Sequence, residues 1–178
     1  MNAAELCVVI LVALAGVWDA QTGRIPNTLT YSGWGIALVL AVMGWGDVRF
    51  SESLIGFAVG FVPFFLLYLR GGLGGGDVKL MAAVGAFKGY PFVLNAMIAA
   101  VLVGGLIALL IVIWEGKFLR TVRYLGMTIG KVFQSKLEPE PIEAKTEVPF
   151  GVGICLGTLI TLISGWLGYA TPAGFLGI

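Results

Sequence analysis

The sequence contains no histidine, only two cysteines and few charged residues: 12% of its 178 residues are charged and 58% are hydrophobic. Without histidine the chain lacks the usual general base and the commonest metal ligand. Cys7 and Cys155 form neither a zinc-binding spacing nor a disulfide framework, and we predict that both are small buried hydrophobic residues. A net charge of +1 provides no basic field for a nucleic-acid partner. The composition therefore predicts no metal, no cofactor and no nucleic acid.

The hydrophobic residues are too many and too clustered for one soluble core, in which about a quarter of the residues would be charged. Six apolar segments each approach the length that crosses about 30 Å of hydrocarbon. We predict an all-α polytopic membrane protein with about six transmembrane helices, forming one membrane-embedded domain over residues 1–178. The fourth segment is short and is expected either to tilt or to pack against its neighbours. The segments cover residues 3–18, 26–45, 53–69, 78–90, 92–114 and 149–169.

The stretch between the last two segments, residues 115–148, is the longest polar part of the chain. Its first part, residues 115–136, repeats apolar residues at helical spacing and carries basic residues on the other face, which is typical of a helix lying at an anionic membrane surface. Its second part is rich in Pro and Glu and predicts an extended linker. We expect a cytoplasmic interfacial amphipathic helix followed by a linker.

The distribution of Lys and Arg predicts the orientation, because cytoplasmic loops carry the excess of these residues. With the N-terminus outside, nine basic residues fall in cytoplasmic loops and two, Arg49 and Lys88, fall outside. The first segment lacks the basic start of a signal peptide, so it is interpreted as a retained span. The nine are Arg24, Arg70, Lys79, Lys117, Arg120, Arg123, Lys131, Lys136 and Lys145.

Two acidic residues are notable for their positions at the ends of apolar segments. Asp19 closes the first segment and Asp77 precedes the fourth, so both fall on the predicted cytoplasmic side. Placing an ionisable group at the edge of a membrane span costs free energy, which suggests that the group has a function and a partner. We expect Asp19 and Asp77 to be each other's partners. Two close carboxyl groups in a poorly solvated cleft share one proton, which suits peptide hydrolysis without His, Ser, Cys or metal. The structural alternatives are an interface residue for Asp19 and a helix cap for Asp77.

Three short motifs occur in an order that resembles the type IV prepilin peptidase family. Asp19 is followed by Arg24-Ile25-Pro26-Asn27, the glycine-rich loop 71–77 ends in Gly74-Gly75-Gly76-Asp77, and Pro149-Phe150-Gly151 opens the last segment. The resemblance implies that Asp19 and Asp77 are the catalytic aspartates. It also implies cleavage of the basic leader of prepilins at the cytoplasmic face of the inner membrane. The implied substrate-binding or loop residues are Pro26, Asn27, Gly74, Gly75, Gly76, Lys79, Pro149 and Gly151.

The chain departs from the larger members of that family in one respect. Those members carry an insert with two C-x-x-C pairs between the first spans, and the insert is linked to N-methylation. Here the corresponding turn is a few residues long, so the sequence resembles the short peptidase-only form associated with Flp/Tad-type pili, and methyltransferase activity is not expected. The substrate partners would be Flp-like prepilins within the lipid bilayer; the oligomeric state is not predicted.

Three other functions fit parts of the pattern. Archaeal preflagellin peptidases share the two aspartate motifs. Presenilin-like and signal-peptide-peptidase-like proteases share G-x-G-D, but they use a Tyr-Asp setting and a Pro-Ala-Leu element, whereas Trp18 precedes Asp19 here. A small transporter or scaffold would be a non-enzymatic alternative, although transporters usually place charges near the bilayer midplane.

Overall fold

A computed structural model describes residues 2–46, 48–114 and 149–168. Within these ranges the chain forms six α-helices and no strand, which confirms the all-α prediction. They are α1 (Ala3–Thr22), α2 (Asn27–Met43), α3 (Phe50–Leu69), α4 (Gly75–Lys88), α5 (Tyr90–Trp114) and α6 (Phe150–Trp166). The predicted amphipathic helix and linker at 115–148 lie outside the described residues.

The chain divides into two compact units. The first comprises residues 1–105 and 149–178 and contains α1 to α4, the first part of α5, and α6. The second comprises residues 106–148, of which the structure describes 106–114, the end of α5. The single membrane-embedded domain over residues 1–178 stays a prediction.

Three of the described helices, α1, α3 and α5, are long and apolar enough to cross a membrane. Helices α2 and α6 are shorter apolar helices of 17 residues each. Large apolar side chains on these helices point outward, among them Val42, Leu66 and Leu102, which are 70%, 52% and 67% exposed. An apolar surface of this extent suits hydrocarbon rather than water. The chain is therefore a polytopic membrane protein.

Helix α4 forms the core of the first unit. It has 14 residues, about 21 Å of helix, which is too short to cross a bilayer. All of its residues from Asp77 to Phe87 are buried except Lys79, which is partly buried, and it packs against α1, α2, α3 and α6. Of the two expectations for this segment, packing against neighbours is the one that the structure confirms.

Glycines allow α4 to approach α3 closely. A Cβ added to Gly56 would collide with the backbone of Gly85, and one added to Gly60 would lie 2.6 Å from the carbonyl oxygen of Met81. The hydroxyl of Ser53 donates a hydrogen bond of 2.7 Å to the carbonyl of Ala86 on the same interface. Gly56 and Gly60, small residues four positions apart on one helix, therefore bring the two helix backbones together.

A second glycine pair with the same spacing, Gly153 and Gly157 on α6, lies against α5. A Cβ at Gly153 would lie 2.8 Å from the Cα of Gly104, and one at Gly157 would collide with Ala100. On its other side α6 crosses α1, where Cys155 lies against Gly16. Cys7 and Cys155 are free thiols and only partly buried, so the prediction of full burial was wrong. Cys155 fills a contact between two helices whose outer sides remain exposed.

The end of the first unit remote from the predicted site is closed by an ion pair. Nζ of Lys88, at the end of α4, lies 3.2 Å from Oε1 of Glu5, at the start of α1. Nε1 of Trp166, at the end of α6, donates to the same carboxylate oxygen over 3.5 Å. This contact fixes α1, α4 and α6 to one another at that end.

Replacing Gly56 by alanine is expected to lower the free energy of unfolding by about 1–3 kcal/mol, because the new methyl group collides with backbone atoms of α4 that cannot rotate away. The matched control is Gly35→Ala on α2, where an added Cβ meets no atom within 4 Å. Thermal unfolding in detergent should show a lower midpoint temperature for Gly56→Ala than for the wild type, and no lowering for Gly35→Ala. Equal midpoints for the two variants would contradict the proposed close contact.

Candidate active site

Asp19 lies in the last turn of α1 with its side chain turned into the first unit, where the residue is 5% exposed. The helix ends at Gly23, which has the left-handed φ of 65° and donates its amide to the carbonyl of Asp19 over 2.8 Å. Glycine adopts this conformation without strain, so the chain turns sharply just after the carboxylate. The side chain is therefore held where α1 meets the following turn.

Pro26 and Asn27 begin α2 directly after this turn. Pro26 is the N-cap of α2, one residue before the helix begins at Asn27. Its fixed φ of −62° and ψ of 134° direct the chain from extended backbone into the helix. Oγ1 of Thr22, the last residue of α1, donates to the carbonyl of Arg24 in the turn over 3.0 Å. A short turn bonded to the end of α1 thus fixes Ile25 and Pro26 beside Asp19.

The hydrogen-bond partner of the Asp19 carboxylate comes from α6. The backbone N–H of Gly151, in the first turn of that helix, donates to Oδ2 of Asp19 over 2.7 Å. Pro149 is the N-cap of α6, and Gly151 is buried. A Cβ on Gly151 would lie 2.8 Å from the same oxygen, so only glycine lets the carboxylate reach the amide. The first and last described helices therefore meet through Asp19.

Asp77 lies in the first turn of α4 and is 7% exposed. Its Oδ2 accepts a hydrogen bond of 3.1 Å from the N–H of Gly74, the N-cap. The structural alternative from the sequence, a capping role, is therefore part of the arrangement. Gly75 and Gly76, expected in the loop, form the first turn of α4, while Gly74 stays outside it and is exposed.

The two aspartates act on each other electrostatically. Burial of the carboxyl group and the nearby charge of Asp19 together raise the pKa of Asp77 from its ordinary value of 3.8 to about 7, while the hydrogen bond from Gly74 acts in the opposite direction. Among the described residues, these are the only carboxylates that are buried. A pair of this kind holds one proton between two carboxyl groups near neutral pH.

Lys79 lies two residues after Asp77 in α4, and its ammonium group contacts other residues of the protein. Its Nζ donates to Oδ1 of Asn27 over 2.7 Å and lies 4.8 Å from the ring centroid of Tyr31. Nε1 of Trp34 donates to the carbonyl of Lys79 over 2.9 Å. The described structure thus uses Lys79 and Asn27 to join α2 to α4 next to Asp77, and their substrate contact stays a prediction.

Sequence reasoning found both aspartates, Gly74 to Gly76, Lys79, Pro26, Asn27, Pro149 and Gly151, and the structure brings all of them to one end of the first unit. It missed Ile25, which is buried against two of the glycines, and Trp34, which binds the backbone of α4. The presence of a hydrophobic residue in the Arg-Ile-Pro-Asn stretch is the sequence signal that could have pointed to Ile25. The contacts of Ile25 depend on the tertiary fold, so the sequence does not predict them. Within the described ranges no group of side chains could hold a metal ion.

Fold and site together define a polytopic helical membrane protein with two buried carboxyl groups at one end. Residues 6–109, more than half of the chain, match the model of the Type IV leader peptidase family, and the chain belongs to that family. This confirms the resemblance that the motifs carry.

Three curated relatives are identical to this chain at about a third of the aligned positions. Each is a prepilin leader peptidase/N-methyltransferase. The protein of Dickeya chrysanthemi is 34% identical over 117 residues, covering 57% of this chain and 38% of that protein. The protein of Pectobacterium carotovorum is 32% identical over 107 residues, with 56% and 37% covered. The protein of Myxococcus xanthus is 31% identical over 123 residues, with 64% and 36% covered.

The chain thus spans less than two fifths of the length of these curated relatives. No solved structure is significantly similar to it.

The raised pKa of Asp77 predicts a pH-dependent effect of Asp77→Asn on stability. Between pH 3.8 and about 7 the folded state binds more protons than the unfolded state, so the free energy of unfolding falls as the pH rises. Asn cannot ionise, so the variant should be more stable than the wild type at pH 8, by about 1.4 kcal/mol for each unit by which the fold raises the pKa. The difference in the free energy of unfolding between the variant and the wild type should become smaller toward pH 4.

Thermal unfolding in detergent at pH 4, 6 and 8 measures this difference. Glu52→Gln, which removes an exposed carboxylate at the start of α3, is the matched control. An equal gain for both variants, or a gain for Asp77→Asn that does not change with pH, would show that burial of the Asp77 charge is not the cause.

Proposed function

We propose that the chain is an aspartic endopeptidase that removes the basic leader peptide from type IV, Flp-like prepilins at the cytoplasmic face of the inner membrane. The observation that carries the proposal is the pair of buried carboxyl groups, Asp19 and Asp77, close enough for the charge of one to raise the pKa of the other. Membership of the type IV leader peptidase family supports the reaction class.

In the proposed reaction the pair carries one proton. The ionised carboxylate removes a proton from a water molecule, whose oxygen attacks the carbonyl carbon of the scissile peptide, while the protonated carboxyl donates its proton to the carbonyl oxygen. The tetrahedral diol then collapses. The C–N bond breaks, the leaving nitrogen takes a proton from the carboxyl that accepted it from water, and the other carboxylate recovers its proton from the diol hydroxyl. The pair returns to its starting state without metal or covalent intermediate.

The site would lie where the substrate presents its cleavage point. A prepilin has a basic leader in the cytoplasm and an apolar helix in the bilayer, so the bond between them lies at the membrane surface. The excess of Lys and Arg on one side of the helices supports an outside N-terminus and a cytoplasmic active end. Gly71, Gly72 and Gly74 are exposed beside Asp77, and a substrate backbone can approach a glycine closely.

The peptidase-only, Flp-like assignment rests on the connection between α1 and α2. Residues 23–26 are the entire link, and Oγ1 of Thr22, the last residue of α1, donates a hydrogen bond to the carbonyl of Arg24 within it. A cysteine-containing insert of the kind linked to N-methylation has no place there. The chain should accordingly cleave a prepilin and leave the new N-terminus unmethylated.

The catalytic proposal predicts that Asp19→Asn and Asp77→Asn each abolish cleavage, with a loss of at least about 1,000-fold, because an amide can neither accept the proton of water nor donate one as an acid. The measurement is co-expression with a candidate Flp-like prepilin, read as the mobility shift that follows loss of the leader. Glu52→Gln is the control, and membrane yield and thermal unfolding show whether each variant folds. Cleavage by a folded Asp variant would refute the assignment.

A parallel co-expression with a preflagellin and with a type IV prepilin that lacks Flp-like features tests the substrate class. If only the Flp-like prepilin is cleaved, the assignment of Flp-like prepilins as substrates is supported. If only the preflagellin is cleaved, the chain is a preflagellin peptidase instead.

A further inference from the structure

Ile25 occupies a narrow space between two glycines. An added Cβ on Gly76 would lie 2.9 Å from the Cβ of Ile25, and an added Cβ on Gly151 would lie 2.9 Å from its Cδ1. Both distances are shorter than side chains tolerate, so glycine at each position is what admits Ile25. The residue is 8% exposed although it belongs to a connecting turn, where side chains usually face solvent.

Each of these glycines adjoins one aspartate. Gly76 precedes Asp77 in the first turn of α4, and Gly151 donates its N–H to Oδ2 of Asp19. The side chain of Ile25 therefore extends from the backbone that carries one carboxyl group to the backbone that binds the other. The side chain of Ile25 has no polar atom that could take part in the reaction, so its effect on the pair must come from its volume.

We propose that Ile25 is a positioning residue that fixes the spacing of Asp19 and Asp77 and keeps water out of the space between their supporting backbones. The inference rests on the proposed function and adds a determinant of the same site. The branch at Cβ leaves Ile25 few rotamers, and the turn between Gly23 and Pro26 fixes its backbone. A stiff side chain on a fixed backbone is suited to set a distance.

Exclusion of water is the second part of the role. Two carboxyl groups share a proton only while their surroundings screen them poorly, since water weakens the repulsion that keeps one of them protonated. An apolar side chain against both supports maintains that condition. A smaller side chain would leave a void beside polar groups, which water can fill.

The other charged and titratable groups near this end of α4 are bound to other residues or exposed, which limits their effect on the protonation of Asp19 and Asp77. Lys79 of α4 is bound to Asn27 and covers Tyr31 of α2, and Arg24 of the α1–α2 turn is exposed. On the α3 side, Tyr68 is the nearest side chain to Gly75, and Arg70 is exposed. Helix α6 contains no Asp, Glu, Lys or Arg between residues 150 and 166.

The test compares Ile25→Val and Ile25→Ala with Leu162→Ala. Ile25→Ala and Leu162→Ala each delete three carbon atoms from a buried side chain, and Leu162 lies far along α6 from Gly151. Cleavage of a purified Flp-like prepilin is measured in detergent from pH 5 to 9. The turnover number is normalised to the folded fraction obtained by thermal unfolding, and KM is determined separately.

For Ile25→Ala we expect the normalised turnover number to fall about tenfold or more, because the reacting groups lose their alignment. We also expect the alkaline midpoint of the pH profile to move down by about one unit, because water entering the void favours the doubly ionised pair. KM should change less than twofold. Ile25→Val loses Cδ1 alone and should shift the midpoint in the same direction by less, whereas Leu162→Ala should lose stability and keep the wild-type profile.

The inference is overturned if Ile25→Ala matches Leu162→Ala in normalised turnover and pH profile. If Ile25→Ala does not fold, Ile25→Val decides, and an unchanged midpoint overturns the inference. Failure of the proposed function gives a different result, since the folded Asp19→Asn or Asp77→Asn variant would then still cleave the prepilin.

Discussion

The burial of two like-charged side chains at one place is the constraint on which the rest of the site depends. Asp19 and Asp77 are both more than nine-tenths buried, and a backbone amide at a helix start donates a hydrogen bond to each carboxyl group. The amide of Gly151 donates to Asp19 and the amide of Gly74 donates to Asp77. An amide stabilises a buried charge without neutralising it, so the repulsion between the two carboxyl groups, which raises the pKa of Asp77, persists.

This arrangement explains why glycine recurs around the site. An amide can reach a buried carboxylate only if no side chain stands between them, which requires Gly151, and Ile25 can fill the remaining space only beside Gly76. The same requirement extends along α4, whose contact with α3 depends on Gly56 and Gly60. Close approach of backbones therefore links the packing of the helices to the geometry of the carboxyl groups.

The sequence predicts the helices well because apolar runs are local properties; the bounds differ by a few residues at most helix ends. It also predicts that Asp19 and Asp77 meet, since alternating spans place them on one side. It does not predict the Gly151–Asp19 hydrogen bond or the position of Ile25, because these depend on how α6 crosses α1. Cys7 and Cys155 are less buried than their apolar segments suggest, since lipid-facing helices leave interior and exterior residues equally hydrophobic.

Helix α4 is tethered to a different neighbour at each end. Lys88 binds Glu5 of α1 at one end, and Lys79 binds Asn27 of α2 at the other. Rotation of α4 about its own axis would break both bonds and drive backbone against backbone at Gly85. The orientation of α4, and with it the position of Asp77, is therefore held by side-chain bonds at both ends as well as by the packing of backbones.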